Sequence, residues 1–364
     1  MITFPIHVRK TLVVAILLLL TQGLTACSSI SYYAQAVGGH WEVMRRSQPI
    51  EEILAKPDTP DSLRHYLSEA LQIRAFAHRA LQLPDNRSYT YYADLQRPSV
   101  LWSVFATPTL SLMPKQWCVP LLGCMSYRGY FSQQDAQQVA AELRAQDYDV
   151  YVANITAYST IGWFNDPVLN TMLGSSLTEL ASVIFHELAH QQLYIAGDTG
   201  FNESFAVAVE ELGVTRWLLQ RGVAQELQQY QVAKKRQAEF RQLILSSRDE
   251  LQQIYQRNVS RAELQQLKAQ AFEQLRQKYA TLKQDRWQNY RGYDRWFEQD
   301  LNNAKLLSVV TYHDLVPAFH ALFKQQHEDF EKFYQSVAQI AQLPIDQRHQ
   351  RLRALKSIEI PKKK

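Results

Sequence analysis

Residues 185–213 read FHELAHQQLYIAGDTGFNESFAVAVEELG, and the reading of this stretch decides the fold. Just upstream, Ser176-x-x-Glu179 is a capping-box pattern, the signature of a helix N-terminus. The helix it opens carries His186-Glu187-Leu188-Ala189-His190 and is expected to stop at Gly197. Residues four apart share one side of a helix, so both imidazoles point the same way, with their bases about 6 Å apart. That spacing lets two ring nitrogens reach one zinc ion at about 2.0–2.1 Å. Glu187 lies about 100° round the helix, where it reaches a water beside the ion and not the ion itself. Phe185, Leu188 and Ala189 surround these polar groups with apolar ones, which dries the site. On an ordinary surface helix Glu187 would pair with a base one turn away, but positions 183, 184, 190 and 191 hold no Lys or Arg.

A catalytic zinc usually takes three protein ligands and keeps one position open. The third is expected from the next element. Gly197 to Gly200 turn the chain, and a second helix, expected from near Asn202 to about Leu219, carries Glu203 in its first turn. Helix, tight turn and returning helix bring Glu203 beside His186 and His190. Glu210 and Glu211 are rivals on the same helix, but they lie two turns further on, roughly 10 Å away. Glu203 is therefore the expected third ligand. Glu210 or Asp198 is the expected partner that holds a histidine ring by its other nitrogen.

The sequence resembles the gluzincin metallopeptidases, whose third zinc ligand is a glutamate on the following helix, in His-Glu-Leu-Ala-His followed by Asn-Glu-x-Phe-Ala. With YRGYF, AYSTIGWFNDP, HELAHQQLY, GDTGFNESFA and NNAKL, together with the start of the chain, it resembles a family of predicted bacterial aminopeptidase lipoproteins over nearly its whole length. The resemblance implies zinc on His186, His190 and Glu203, and Glu187 as general base towards a zinc-activated water. The separation of Glu203 from His190 is shorter than in the well-known gluzincin aminopeptidases, and the chain has no Gly-x-Met-Glu-Asn stretch with which those enzymes hold a substrate's free amine. The aminopeptidase label thus comes from the family and not from a residue of this chain.

The start of the chain points to the cell envelope. His7, Arg9 and Lys10 precede the nine-residue apolar run Leu12 to Leu20, which is too short to span a bilayer and has the form of a signal-peptide core. Leu24-Thr25-Ala26-Cys27 resembles a lipobox, which implies cleavage of residues 1–26 and acylation of Cys27. Ser28 in place of Asp favours the outer membrane, with the body in the periplasm. Residues 27–48 are read as a lipid-anchored tether merging into a helix, and 49–364 as the metallopeptidase domain. The leader holds two of the 39 basic residues and none of the 35 acidic ones, leaving the remainder at a formal charge of +2. So balanced a chain gives no support to nucleic-acid binding. Cys118 and Cys124, six apart with Pro120 and Gly123 between, suit a small disulfide loop in an exported protein. Two buried thiols or a partial metal site are the alternatives.

Elsewhere, 61–83 reads as a helix, YTYYADL and VLWSVFA as strands, SQQDAQQVAAELRAQ as a helix and YDVYVANITAYST as a third strand. Residues 224–290 lack Pro and Gly and are dense in Gln, Lys, Arg and Glu. They read as a long helical hairpin, within about 221–290, whose second arm is capped by Ser260-x-x-Glu263. A further helical region follows from Asn302 to Ala341. The expected class is α+β, predominantly helical: a zincin-like core with a small mixed sheet, the active-site helix and the hairpin.

The expected donor to the reaction's oxyanion is Tyr312 in VVTYHDLVPAF, with His313, Tyr158 and Arg128 as alternatives. Ala157 to Thr160, just before the active helix, are the expected edge that pairs with an extended peptide, a buried strand being the alternative. Two functions remain open at this point. One is a zinc peptidase acting on peptides or proteins. The other is a zinc-containing, non-enzymatic or chaperone-like lipoprotein that binds a protein partner through the hairpin. An intact Glu187 favours the peptidase.

Overall fold

The computed structural model describes residues 31–119, 123–174, 176–310 and 315–356. Helix α1 (31–46) leads into strand β1 (Ser47–Pro49), α2 (Ile50–Ala55) and α3 (Asp61–Leu81). Strands β2 (Tyr91–Ala93), β3 (Leu101–Pro108), β4 (Trp117–Val119), β5 (Gly123–Met125) and β6 (Tyr127–Tyr130) precede α4 (Gln133–Ala145). Then come β7 (Tyr148–Ile155), β8 (Val168–Leu169), α5 (Leu177–Gln192) and α6 (Thr199–Arg221). The hairpin is α7 (Ala224–Tyr255) and α8 (Arg261–Arg286), followed by α9 (Asp294–Glu298), α10 (Asn303–Val310), α11 (Val316–Gln325), α12 (Phe330–Ala341) and α13 (Ile345–Lys356). The protein is thus α+β and predominantly helical, as its sequence pattern requires.

The sheets are small. One has the order β1-β2-β8, and another the order β6-β3-β7 with both pairings antiparallel. Strand β3 is buried from Trp102 to Thr107 because both of its faces are covered. Trp102, Val104 and Ala106 pack with Ala136, Ala140 and Leu143 of α4, while Phe105 packs with Ala304 and Leu307 of α10. Strands β4 and β5 form a separate two-stranded ladder in which Cys118 pairs with Cys124, and the two sulfurs are bonded.

The main core lies between α3, α5, α6, α11 and α12. Ile73, Phe185, Phe205, Phe319 and Phe333 are fully enclosed there. Helices α5 and α6 approach closely at Gly213, where a side chain would meet Leu81 and Phe185. The hairpin builds a second core of its own from Phe240, Ile244, Leu251, Phe272 and Leu275, closed by Trp287 and Phe297. The hairpin's Tyr255 hydroxyl donates to Asn303 of α10, whose side-chain amide donates to the Thr109 and Ser111 carbonyls just beyond β3 and whose backbone N–H donates to Asp149 of β7. Lys268 of α8 reaches the same Asp149 carboxylate at 2.6 Å.

Residues 31–46 form a helix, as expected where the tether merges into one, and this helix packs on the body: Val43 is fully buried and Tyr32 meets Tyr130 edge to face at 5.6 Å. Several expectations are corrected. Strand β7 ends at Ile155, so Ala157 to Thr160 are not part of a strand. The physical reason is Asp166, a buried carboxylate that accepts hydrogen bonds from the Thr160 backbone and hydroxyl and from Ser159, and so draws the chain away from the sheet. Helix α13, absent from the sequence reading, is mostly polar; it docks through Leu352, Leu355 and Arg348. Cys27 lies outside the described residues.

Candidate metal centre

The capping box at the head of α5 is formed as the sequence predicts: the Ser176 hydroxyl accepts from the Glu179 N–H, and the Glu179 carboxylate accepts from the Ser176 N–H. The helix ends at Gln192, five residues before the expected stop, and the turn that follows is pinned by a single side chain. Asn202 accepts from the Ile195 N–H at 2.9 Å and donates to the Ile195 carbonyl at 2.7 Å. Helix α6 starts at Thr199, three residues earlier than Asn202, because Asp198 caps it by accepting from the Phe201 N–H. Glu203 therefore sits in the second turn of α6 and faces α5.

The two helices bring His186, His190 and Glu203 together, with one candidate ligand atom from each lying within 4.8 Å of the others. The Nε2 atoms of both histidines converge on the same Glu203 oxygen, at 3.4 Å from His186 and 3.7 Å from His190. Donors arranged tetrahedrally round an ion at 2.0–2.1 Å stand about 3.3–3.4 Å apart, so the geometry fits one small ion. Glu203 is held well below the usual carboxylate range: burial pushes it up, but the hydrogen bonds from His186 and His190 outweigh that. Its anionic form is the one a cation needs.

On the far side of His186, Nδ1 stands 3.4 Å from Glu210. Burial pushes the Glu210 carboxyl up, but Lys234 and His186 bring it down to about 2. Lys234, reaching in from α7, lies 2.7 Å from Glu210 and 3.5 Å from Glu211, and Glu211 in turn meets His320 of α11 at 3.3 Å. Of the two partners foreseen for a histidine ring, Glu210 takes the role and Asp198 does not. Asp198 is buried under α13, paired with Arg348 at 2.5 Å and His349 at 3.0 Å. The Nδ1 of His190 has no hydrogen-bond partner among the described residues.

Glu187 points beside this cluster. Burial pushes its carboxyl up, with Glu203 and Asp166 adding to that and His186 and His190 opposing it. It lines a cavity of 560 Å³ together with His186 and Glu210. One wall is the end of β7, Asn154 and Ile155, with Thr156 and Ala157 just after it; the opposite wall is α7, with Tyr230, Lys234 and Gln237. The hairpin, expected as an outward contact surface, thus also builds part of the cleft.

Of the groups considered as oxyanion donors, Arg128 and Tyr158 are engaged elsewhere. Arg128 lies 3.7 Å over the Tyr32 ring, and among the described residues it neither lines the cleft nor forms an ion pair with an acid. The Tyr158 hydroxyl is bonded to His40 Nδ1 at 2.8 Å. Tyr312 and His313 lie outside the described residues. Other phenols, missed in the sequence, stand near the cluster. Tyr127 of β6 has its pKa pushed up, first by burial and then by the charge of Glu203. Tyr194, whose ring lies 6.4 Å from that of His190, is raised for the same two reasons. Tyr89, fully buried, has a hydroxyl with no hydrogen-bond partner among the described residues and close enough to Glu187 to feel its charge. Tyr194 stands four residues after His190, a spacing that could have marked it, whereas Tyr127 and Tyr89 are brought there only by tertiary folding.

A helix-borne pair of histidines, a carboxylate from the next helix and an unliganded glutamate beside them define a site that could hold a metal ion. The chain belongs to the family described as "Putative aminopeptidase", which matches residues 31–352. No curated protein and no solved structure matches it.

Proposed function

We propose that this protein is a zinc-dependent peptide hydrolase of the bacterial cell envelope, an aminopeptidase by family. The observation that carries the reading is the convergence of His186, His190 and Glu203, with Glu187 beside them on the wall of the cleft. The donor set of two imidazoles and one carboxylate with no thiolate suits a catalytic zinc better than a structural one. Bound there, zinc would polarise the scissile carbonyl and make a water acidic enough to attack at neutral pH.

The rest falls to the chain's own side chains. Glu187 takes the proton of the attacking water and returns it to the leaving amine, a role helped by a carboxyl whose pKa burial has raised. Glu210 accepts from Nδ1 of His186 and so keeps Nε2 turned to the centre. A phenol, Tyr127 or Tyr194 by position and Tyr312 by sequence pattern, donates to the carbonyl oxygen as charge develops on it. An extended peptide would lie along β7, an edge strand of its sheet, whose end opens into the cleft. The lipobox at Cys27 would hold the body at the membrane. No helix among the described residues is long and apolar enough to cross a membrane.

The test is hydrolysis of aminoacyl and internally quenched peptides by the purified protein, with chelator, with zinc added back, and in Glu187→Gln. Cleavage that the chelator abolishes and zinc restores, and that Glu187→Gln lacks, supports the reading. The preferred substrate then separates exopeptidase from endopeptidase. A protein that binds zinc yet cleaves neither class, in every preparation, points instead to the binding lipoprotein.

A further inference from the structure

The outer face of α1 inverts the usual pattern. A helix lying on a domain turns apolar residues inward and polar ones to water. Here Tyr33, Val37 and Trp41 recur every four residues on the side away from the body, and they are 39%, 69% and 69% exposed. Ala34 and Gly38 beside them are exposed and uncharged. The opposite face is fixed against the body, with Gly39 under Phe131 and Val43 buried, so rotation of the helix cannot hide the stripe. Arg45, one turn beyond Trp41, is the first exposed charge on that side.

A second element extends the same surface. The loop after β7 presents Trp163 at 85% exposure and Phe164 at 51%. The Phe164 ring lies 4.5 Å from the His40 ring of α1, so loop and helix form one patch. The loop is held in this form. The Thr160 hydroxyl donates to Asp166 at 2.8 Å and accepts from the Phe164 N–H at 3.1 Å, and the Trp163 N–H donates to the Thr160 carbonyl. Two exposed tryptophans on a rigid, largely uncharged surface are what a water-facing patch avoids and a bilayer interface favours, because indole pairs a large apolar body with one polar N–H.

We propose that the α1 face and the Trp163 loop form a bilayer-resting surface, with Tyr33, Val37, Trp41, Trp163 and Phe164 in the boundary between headgroups and acyl chains and Arg45 at its rim, where lipid phosphates lie. The occupant is a phospholipid surface, and the position of the patch in the chain argues for it. Helix α1 is under way by residue 31, four residues beyond Cys27, a span of at most about 14 Å when extended. An acyl chain on Cys27 would therefore hold the start of this helix within that distance of the membrane. The location rests on the lipid-anchor reading; the surface's own affinity for lipid does not. The loop also fixes how the body stands, since Asp166 accepts from Gln191, one residue beyond His190 on α5.

The protein purified from membranes with its native N-terminus is reconstituted into vesicles of phosphatidylethanolamine and phosphatidylglycerol carrying bromine at set depths in the acyl chains. Tryptophan emission is compared with that of a Trp41→Ser, Trp163→Ser double variant. Quenching by shallow bromines, falling at least threefold in the double variant while its thermal melt is unchanged, is the expected result. Equal quenching in the two proteins, or no quenching in protein that floats with the vesicles, overturns the proposal. So does a concentration-dependent dimer that the double variant abolishes without any lipid quenching, since that assigns the face to a second copy. A mass spectrum with unmodified Cys27 counts against the anchor alone, because quenching still reports on the surface.

Discussion

At the scale of single residues, the acids of the cleft divide by role, and each role has its own signature. Glu187→Gln keeps the shape but removes the base, so turnover is expected to fall about 10²–10⁴-fold with the metal retained. Glu210→Gln leaves the ion's ligands in place but loses the anion behind His186. Metal affinity is expected to fall about 10–100-fold, read by competition with a chromogenic chelator. An unchanged affinity would show that Glu210 serves only to bury Lys234. His186, Glu187, His190, Glu203 and Glu210 were all legible in the sequence because one turn, or two helices joined by a short turn, relates them. Lys234 and Tyr127 were not, because each arrives from an element whose position depends on the whole fold; Tyr194, four residues after His190, was within reach of the local spacing and was passed over. Asp198 was misassigned for the same reason: its partners, Arg348 and His349, lie 150 residues away.

At the scale of elements, the centre is a property of how α5 and α6 are clamped. Asp198 caps α6 and neutralises Arg348, which is 6% exposed. Asp198→Ala leaves that charge buried and alone, and a loss of about 3–5 kcal/mol of stability is expected from denaturant unfolding. A change within 1 kcal/mol would mean that water reaches Arg348. Gly213 sets the spacing of the two helices, since a Cβ there would stand 2.6 Å from Leu81 and 3.0 Å from Phe185. Gly213→Val is expected to cost about 1–3 kcal/mol and to weaken metal binding, because Phe185 directly precedes His186. Capping boxes and apolar periodicity made α3, α4, α5 and the hairpin readable. The boundaries at 155, 192 and 199 were set by Asp166, Asn202 and Asp198, whose hydrogen bonds no periodicity records.

At the scale of the molecule, the hairpin has its own core and joins the rest through the wall of the cleft and the Asn303–Asp149–Lys268 contacts. Its open end, where α9 packs against the last turns of α8, should respond to acid. Hydrogen bonds from Lys283, Tyr279 and Arg291 hold the Asp294 carboxyl down to about 2, against an ordinary 3.8. A depressed acid stabilises the fold fully above its unfolded value, and that contribution is lost as pH falls through the folded one. The melting temperature of wild type should therefore fall more steeply than that of Asp294→Asn between about pH 4 and pH 2, and equal slopes would remove Asp294 from the account. The hairpin itself was plain in the sequence, whereas its place against the cleft was not, since that contact joins α7 to the end of β7. The most direct test of the central claim is the metal content of the purified protein beside His186→Ala and Glu203→Ala, with folding checked by circular dichroism. One zinc per chain, lost in both folded variants, is the predicted result. No tightly held metal, two or more zincs, or a zinc that survives Glu203→Ala would contradict the centre as described.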